Sequence, residues 1–239
     1  MANGDLGPDW EQGGYFLDVA GLGVGDAILR VDQSPQGPGW LLFRDPSRVL
    51  IGDRTVDVPA VLETAGRYAE TAWVVGCLEY EAATALHPKM SVRDVGEGRA
   101  PLAWFAVYDE APRFYRELAP VYDAPSLGSL AAEWDFVRYA VAFREVKAAL
   151  ARGDSYQVNL TFRQRFSLAR SPAELFVSRC GVRPPRYAAF IHGGDWQIAS
   201  FSPELMFERV GDDVVTEPMK GTASIAFAIS DRFLIAYKS

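Results

Sequence analysis

Apolar and polar positions alternate along most of this chain in short runs, and two longer stretches switch to helical spacing. Ala27–Val31 and Gly39–Arg44 read as short strands, separated by Ser34-Pro35-Gln36-Gly37-Pro38-Gly39, a turn by composition. Val58–Glu70 reads as a helix. Trp73–Tyr80 opens with a nearly continuous apolar run, the pattern of a strand covered on both faces, and Leu102–Tyr108 is similar. Ala119–Leu130, with two prolines, Gly128 and two serines, reads as a linker.

Beyond it, Tyr139, Phe143, Val146 and Leu150 recur at spacings of 4, 3 and 4, the apolar stripe of an amphipathic helix that Gly153-Asp154 terminates. Tyr156–Phe166 alternates strictly, with Tyr156, Val158, Leu160 and Phe162 on one side and Gln157, Asn159, Thr161 and Arg163 on the other, which predicts a strand. Ser171-Pro172-Ala173-Glu174 is a capping box opening a helix that runs to about Cys180. Tyr187–His192, Trp196–Phe201, Leu205–Val210 and Val214–Thr216 follow as strands joined by short Gly-rich turns, so neighbours in sequence pair antiparallel. The fold class predicted is α+β, with large antiparallel sheets flanked by helices. The division read from the chain is an amino-terminal region 1–125, a second region 133–223 and a divergent tail 224–239. Residues 1–26, rich in Gly and Asp, are expected to be loosely ordered at their tip.

Composition narrows the function classes. With 49% hydrophobic residues the chain can bury a core, and a formal charge of 24 − 31 = −7 argues against nucleic acid or an anionic membrane as partner. No apolar stretch approaches the about 18 residues of a membrane span. The acidic start lacks a secretory signal's basic region, so a cytoplasmic protein is expected, with Cys77 and Cys180 as buried reduced thiols.

Two side chains stand where chemistry is built. Glu204 follows Ser202-Pro203 at a break between strands, and Lys220 follows the last strand in Pro218-Met219-Lys220-Gly221-Thr222. Side chains at strand ends beside Pro or Gly can project into a cleft. Lysine becomes a nucleophile where its pKa is lowered, and a carboxyl becomes a general acid where burial raises its own. On these residues alone, a solvated lysine and a loop-capping glutamate remain open.

Three motifs in register go further: Tyr156-Gln157-Val158-Asn159-Leu160-Thr161, Ser200-Phe201-Ser202-Pro203-Glu204-Leu205 and Pro218-Met219-Lys220-Gly221-Thr222. In this order and spacing they resemble the chorismate-binding enzymes, which include anthranilate, aminodeoxychorismate and isochorismate synthases. The likeness covers roughly residues 38–223. Within the family, Lys220 and Gln157 resemble the aminodeoxychorismate branch; the anthranilate and isochorismate branches carry Ala at the first position, and the water-using enzymes carry Lys at the second. The resemblance implies that Lys220 attacks C2 of chorismate, that Glu204 protonates the departing C4 hydroxyl, and that Gln157, Gly221 and Thr222 contact the substrate.

It also implies Mg²⁺ held by glutamates from a later portion of the family domain, and ammonia delivered by a glutamine amidotransferase subunit. No such later motif follows Ala223, so the resemblance implies a fragment, a frameshifted product or a deletion variant, with no metal ligands of its own and little synthase activity when made alone. Two other readings stand beside it: an anthranilate synthase component I, and a non-catalytic fragment that binds a partner or an aromatic amino acid.

Overall fold

Main-chain hydrogen bonds sort the described strands into a seven-stranded sheet, a three-stranded sheet packed against it and two separate two-stranded pairs. The structure, a computed structural model, describes residues 11–32, 34, 36–87, 89–92, 100–121, 127–181, 184–217 and the backbone of 235–238. The strands are β1 (Glu11–Leu17), β2 (Ala27–Val31), β3 (Gly39–Phe43), β4 (Arg48–Gly52), β5 (Trp73–Leu78), β6 (Ala103–Tyr108), β7 (Arg113–Leu118), β8 (Ala131–Ala132), β9 (Gln164–Arg165), β10 (Tyr187–His192), β11 (Trp196–Ser202), β12 (Leu205–Val210), β13 (Asp213–Glu217) and β14 (Ile235–Lys238). The α-helices are α1 (Val58–Tyr68), α2 (Ala83–Leu86), α3 (Phe136–Arg152) and α4 (Pro172–Cys180). The predicted α+β class is the one observed.

Two compact units contain these elements, Met1–Tyr122 with Pro172–Ser239, and Asp123–Ser171. The division read from the sequence follows chain order, whereas the compact units do not. The reason lies in the main sheet, whose order is β1-β7-β3-β2-β10-β11-β14. Strand β10 pairs antiparallel with β2, so the later hairpin completes the sheet begun by the early one.

Each layer of the first unit follows from its strand pattern. In β3, Trp40 and Leu42 face one way and Leu41 and Phe43 the other, and all four are buried. Trp40 and Leu42 join Ile28, Phe190 and the α4 residues Phe176, Val177 and Cys180 in one core. Leu41 and Phe43 join a second core with Trp104, Ala106 and Tyr108 of β6, Val75 of β5 and Trp196 of β11. The smaller sheet, β4-β6-β5, buries its other face under α1 through Val58, Val61 and Ala103. The layer order is therefore α4, main sheet, small sheet, α1. Gly76 of β5 is required by this packing, since a Cβ there would lie 2.4 Å from the Trp104 carbonyl oxygen and closer still to the Phe105 ring.

Asp26 is the one buried charged residue among the described residues. Its carboxylate accepts hydrogen bonds from the amides of Gly23 (2.8 Å) and Asp45 (3.2 Å) and lies 3.5 Å from Arg44 Nε. These partners offset its desolvation. Beside it, the buried Tyr108 hydroxyl donates to the Gly25 carbonyl.

Both cysteines are unpaired thiols; Cys180 is buried as expected, whereas Cys77 is only half-buried. Burial, with the Glu79 charge adding to it, pushes the Cys77 thiol up to about 12. Burial pushes Cys180 up to about 12 against the opposing pull of Arg30. The native chain thus holds two protons that unfolded thiols release near pH 9.0. This contribution is complete below pH 9 and is lost progressively as pH rises toward 12, so stability falls across that window. Urea unfolding from pH 7 to 11 is expected to show the decline, and Cys77→Ala is expected to flatten it. Iodoacetamide should label the buried Cys180 only as fast as the chain unfolds, and the half-buried Cys77 faster.

The second unit is built on α3. Asp135 caps it by accepting from the Arg138 amide at 2.8 Å, and Gly153 closes it in the left-handed region at φ 80. Trp134 stacks on Phe162 with centroids 5.3 Å apart, and the Arg138 guanidinium lies 4.7 Å from the Trp134 ring.

The expected strand Tyr156–Phe166 is not formed as a whole. Only Gln164–Arg165 is a strand, paired with Ala131–Ala132. Alternation supplies a face, but a strand also needs a hydrogen-bonded neighbour, and none of the described strands pairs with residues 156–163. Tyr156 is 90% exposed as a result.

Candidate functional site

Glu204 sits in the connection between β11 and β12, held by a local serine turn. The Ser202 hydroxyl donates to the Glu204 carbonyl at 3.1 Å and accepts from the Glu204 amide at 3.2 Å. Serine two residues upstream thus fixes the backbone at the strand break. The Glu204 residue is exposed.

The register of the next hairpin matters more. Leu205 pairs with Glu217, and Val210 with Asp213 across a turn at Gly211, φ 60. The open end of β12–β13 is therefore the Leu205–Glu217 end, beside Glu204. Lys220 follows Glu217 by three residues in the sequence. Lys220, Gly221 and Thr222 themselves lie outside the described residues, as do Pro218 and Met219 and most of the 224–239 tail.

Glu217 carries the densest charge contacts at this end. The Arg186 guanidinium donates to both of its carboxylate oxygens through Nη1 and Nη2, and the Tyr187 hydroxyl donates to it at 3.1 Å. Hydrogen bonding to Glu217 holds the Arg186 guanidinium above its ordinary range. For Tyr187, burial first and the Glu217 hydrogen bond second raise the phenol. Arg186 also lies 3.5 Å from Asp32, which in turn is 3.2 Å from Arg30. Arg186 belongs to none of the three motifs read from the sequence. Arg186 and Glu217 are 31 residues apart, and no local period joins them.

Gln157 belongs to the second unit. Its backbone is set by Ser155, whose hydroxyl donates to the Gln157 carbonyl at 2.8 Å and accepts from its amide at 3.3 Å. Its side chain is on the exposed surface.

No group of three His, Cys, Asp or Glu side chains that could hold a metal ion occurs among the described residues. No described helix is long and apolar enough to cross a membrane.

The chain thus combines a layered α+β fold with an acidic strand-break residue beside the open end of a hairpin. Residues 54–228 match the chorismate binding enzyme family. The chain belongs to that family. It is 35% identical to aminodeoxychorismate synthase component 1 of Bacillus subtilis over 109 residues, 46% of this chain and 22% of that protein. It is 31% identical to the same component of Klebsiella aerogenes over 137 residues, 56% of this chain and 28% of that protein. Anthranilate synthase component 1 of Haloarcula marismortui also matches, 36% identical over 84 residues, 35% of this chain and 17% of that protein. These matches span less than a third of the length of each relative.

Proposed function

We propose that this chain carries residues for the amine-transfer chemistry of the family, the conversion of chorismate to 4-amino-4-deoxychorismate with ammonia from a glutamine amidotransferase partner, with little turnover when the chain is made alone. The observation that carries the reading is the pairing of Leu205 with Glu217, which puts Glu204 and the chain leading into Pro218-Met219-Lys220-Gly221-Thr222 at one end of one hairpin. Lys220 and Gln157 select amine transfer over water addition.

The neutral Lys220 amine forms a bond to C2 of chorismate, both ring double bonds shift (C1=C2 to C1=C6 and C5=C6 to C4=C5), and the C4–O bond breaks. Glu204 gives its proton to the departing oxygen, so water leaves rather than hydroxide. Ammonia then attacks C4, both double bonds shift back, the C2–N bond to Lys220 breaks and restores the free lysine, and the new C4 ammonium returns a proton to the Glu204 carboxylate. Glu204 is exposed in the chain by itself, so its acid role requires substrate to cover and desolvate it. The Gly221 amide and the Thr222 hydroxyl would hold a substrate carboxylate, with glycine allowing close backbone approach. The family resemblance implies Mg²⁺, but the described residues do not assemble a donor set for it, and no step above runs through the ion.

The relatives named anthranilate synthase support a second reading, in which the product is anthranilate. Lys220 separates the two. With the chain in stoichiometric amount, chorismate and ammonium ion are expected to yield 4-amino-4-deoxychorismate by chromatography and mass spectrometry. Anthranilate as the product would overturn the reading in favour of the second.

A further inference from the structure

The β12–β13 hairpin is exposed along both strands except at the half-buried Leu205, and Met206 is 85% exposed. Its open end is tied to the main sheet by charge. From the buried Trp40 outward, the Arg30 guanidinium lies 5.2 Å from the Trp40 ring centroid, Arg30 Nε is 3.2 Å from Asp32, and Arg186 Nε is 3.5 Å from Asp32. Arg186 then reaches Glu217 through two nitrogens, and Tyr187 adds its hydroxyl. Signs alternate along this line, two cations against two carboxylates. Tyr187 pairs with Ser202 at the end of β10–β11, so the network bridges that end of the main sheet to the open end of the hairpin.

We propose that Arg186 is a positioning residue: it clamps the open end of β12–β13 to the main sheet and so fixes where Glu204 stands. The clamp rests on described contacts; only its consequence for chemistry rests on the function proposed above. A two-pronged, charge-assisted contact suits this task better than a single-point ammonium, because it fixes direction as well as distance.

The test is hydrogen exchange on the intact chain, read by mass spectrometry over residues 205–217. Arg186→Gln and Glu217→Gln are each expected to speed exchange there by about fivefold, and the double variant by no more than either alone. Arg186→Met, which keeps the aliphatic stem, should behave like Arg186→Gln. In about 1 M salt, where the screening length is near 3 Å, the parent should approach the variants' rates. Exchange in β10–β11 should stay unchanged throughout.

Unchanged exchange in the single variants, strictly additive effects, or an Arg186→Met chain that matches the parent would each overturn the clamp. If a variant loses protection everywhere, the salt response of the parent decides, and a salt-insensitive hairpin overturns the proposal. With chorismate as the probe, Arg186→Gln should lower product formed per chain at saturation while the half-saturating concentration stays constant. A parent chain inert toward chorismate counts against the proposed function, and the exchange results then decide the clamp by themselves.

Discussion

Replacing Trp104 by alanine is expected to lower the unfolding free energy by about 4 kcal/mol, within the range for deleting a buried aromatic side chain. Trp104 is 2% exposed and lies on the inner face of β6. Its ring meets Trp196 of β11 edge-on, with centroids 5.5 Å apart and planes at 88°. The contact joins the small sheet to the main sheet, so alanine would leave a cavity between two layers that cannot both collapse into it. The consequence reaches the candidate site, because Trp196 begins the strand that ends at Ser202, next to Glu204. Phe136→Ala is the matched control: Phe136 is 80% exposed, and its loss should change stability by less than about 0.5 kcal/mol. Urea unfolding followed by circular dichroism measures both. Equal effects for the two variants would show that Trp104 does not occupy the interlayer core.

The second large effect concerns chemistry. Lys220→Ala is expected to reduce formation of 4-amino-4-deoxychorismate by about a thousandfold or more, the scale on which removing a covalent nucleophile acts. Glu204→Gln should cost about 10²–10⁴-fold, since the amide cannot supply the proton for the leaving oxygen. The two losses should not add, because both residues serve the same bond-breaking step. Measured product per chain for the parent, both single variants and the double variant checks this. A Lys220→Ala chain that retains the parent's yield would remove the covalent step.

Much of the fold was legible because its strands carry local signals. β2, β3, β6, β10, β11 and the β12–β13 hairpin follow apolar runs or alternation bounded by Gly, Pro or Asp, and α1, α3 and α4 follow helical spacing or a capping box. β4 carries a local signal as well, the apolar run Val49-Leu50-Ile51 between Pro46 and Gly52, which is too short to stand out beside the longer strands. β1 and β7 were hidden for a physical reason. They pair parallel across about a hundred residues, and β7 carries Arg113, Arg116 and Glu117 in a six-residue strand. Parallel pairing over such a distance leaves no turn signal to read.

Residues 156–163 erred the other way. Their alternation is real, yet a pattern names a face and cannot name a hydrogen-bonding neighbour.

The candidate site was legible in a different sense. Glu204 and Lys220 stand out in the sequence by their place at strand ends and Gln157 through motif likeness; the fold adds that Glu204 and Glu217 share one hairpin end, while Lys220 lies outside the described residues. Arg186 was not legible, since its partners Asp32 and Glu217 lie far from it along the sequence.

The most direct test of covalent amine transfer is to incubate the chain with chorismate in the absence of ammonia and to digest it for peptide mass spectrometry. Lys220 is predicted to carry an adduct of chorismate less one water, and added ammonium ion should discharge it as 4-amino-4-deoxychorismate. A Lys220 peptide that stays unmodified, or an adduct seated on another residue, would contradict the account.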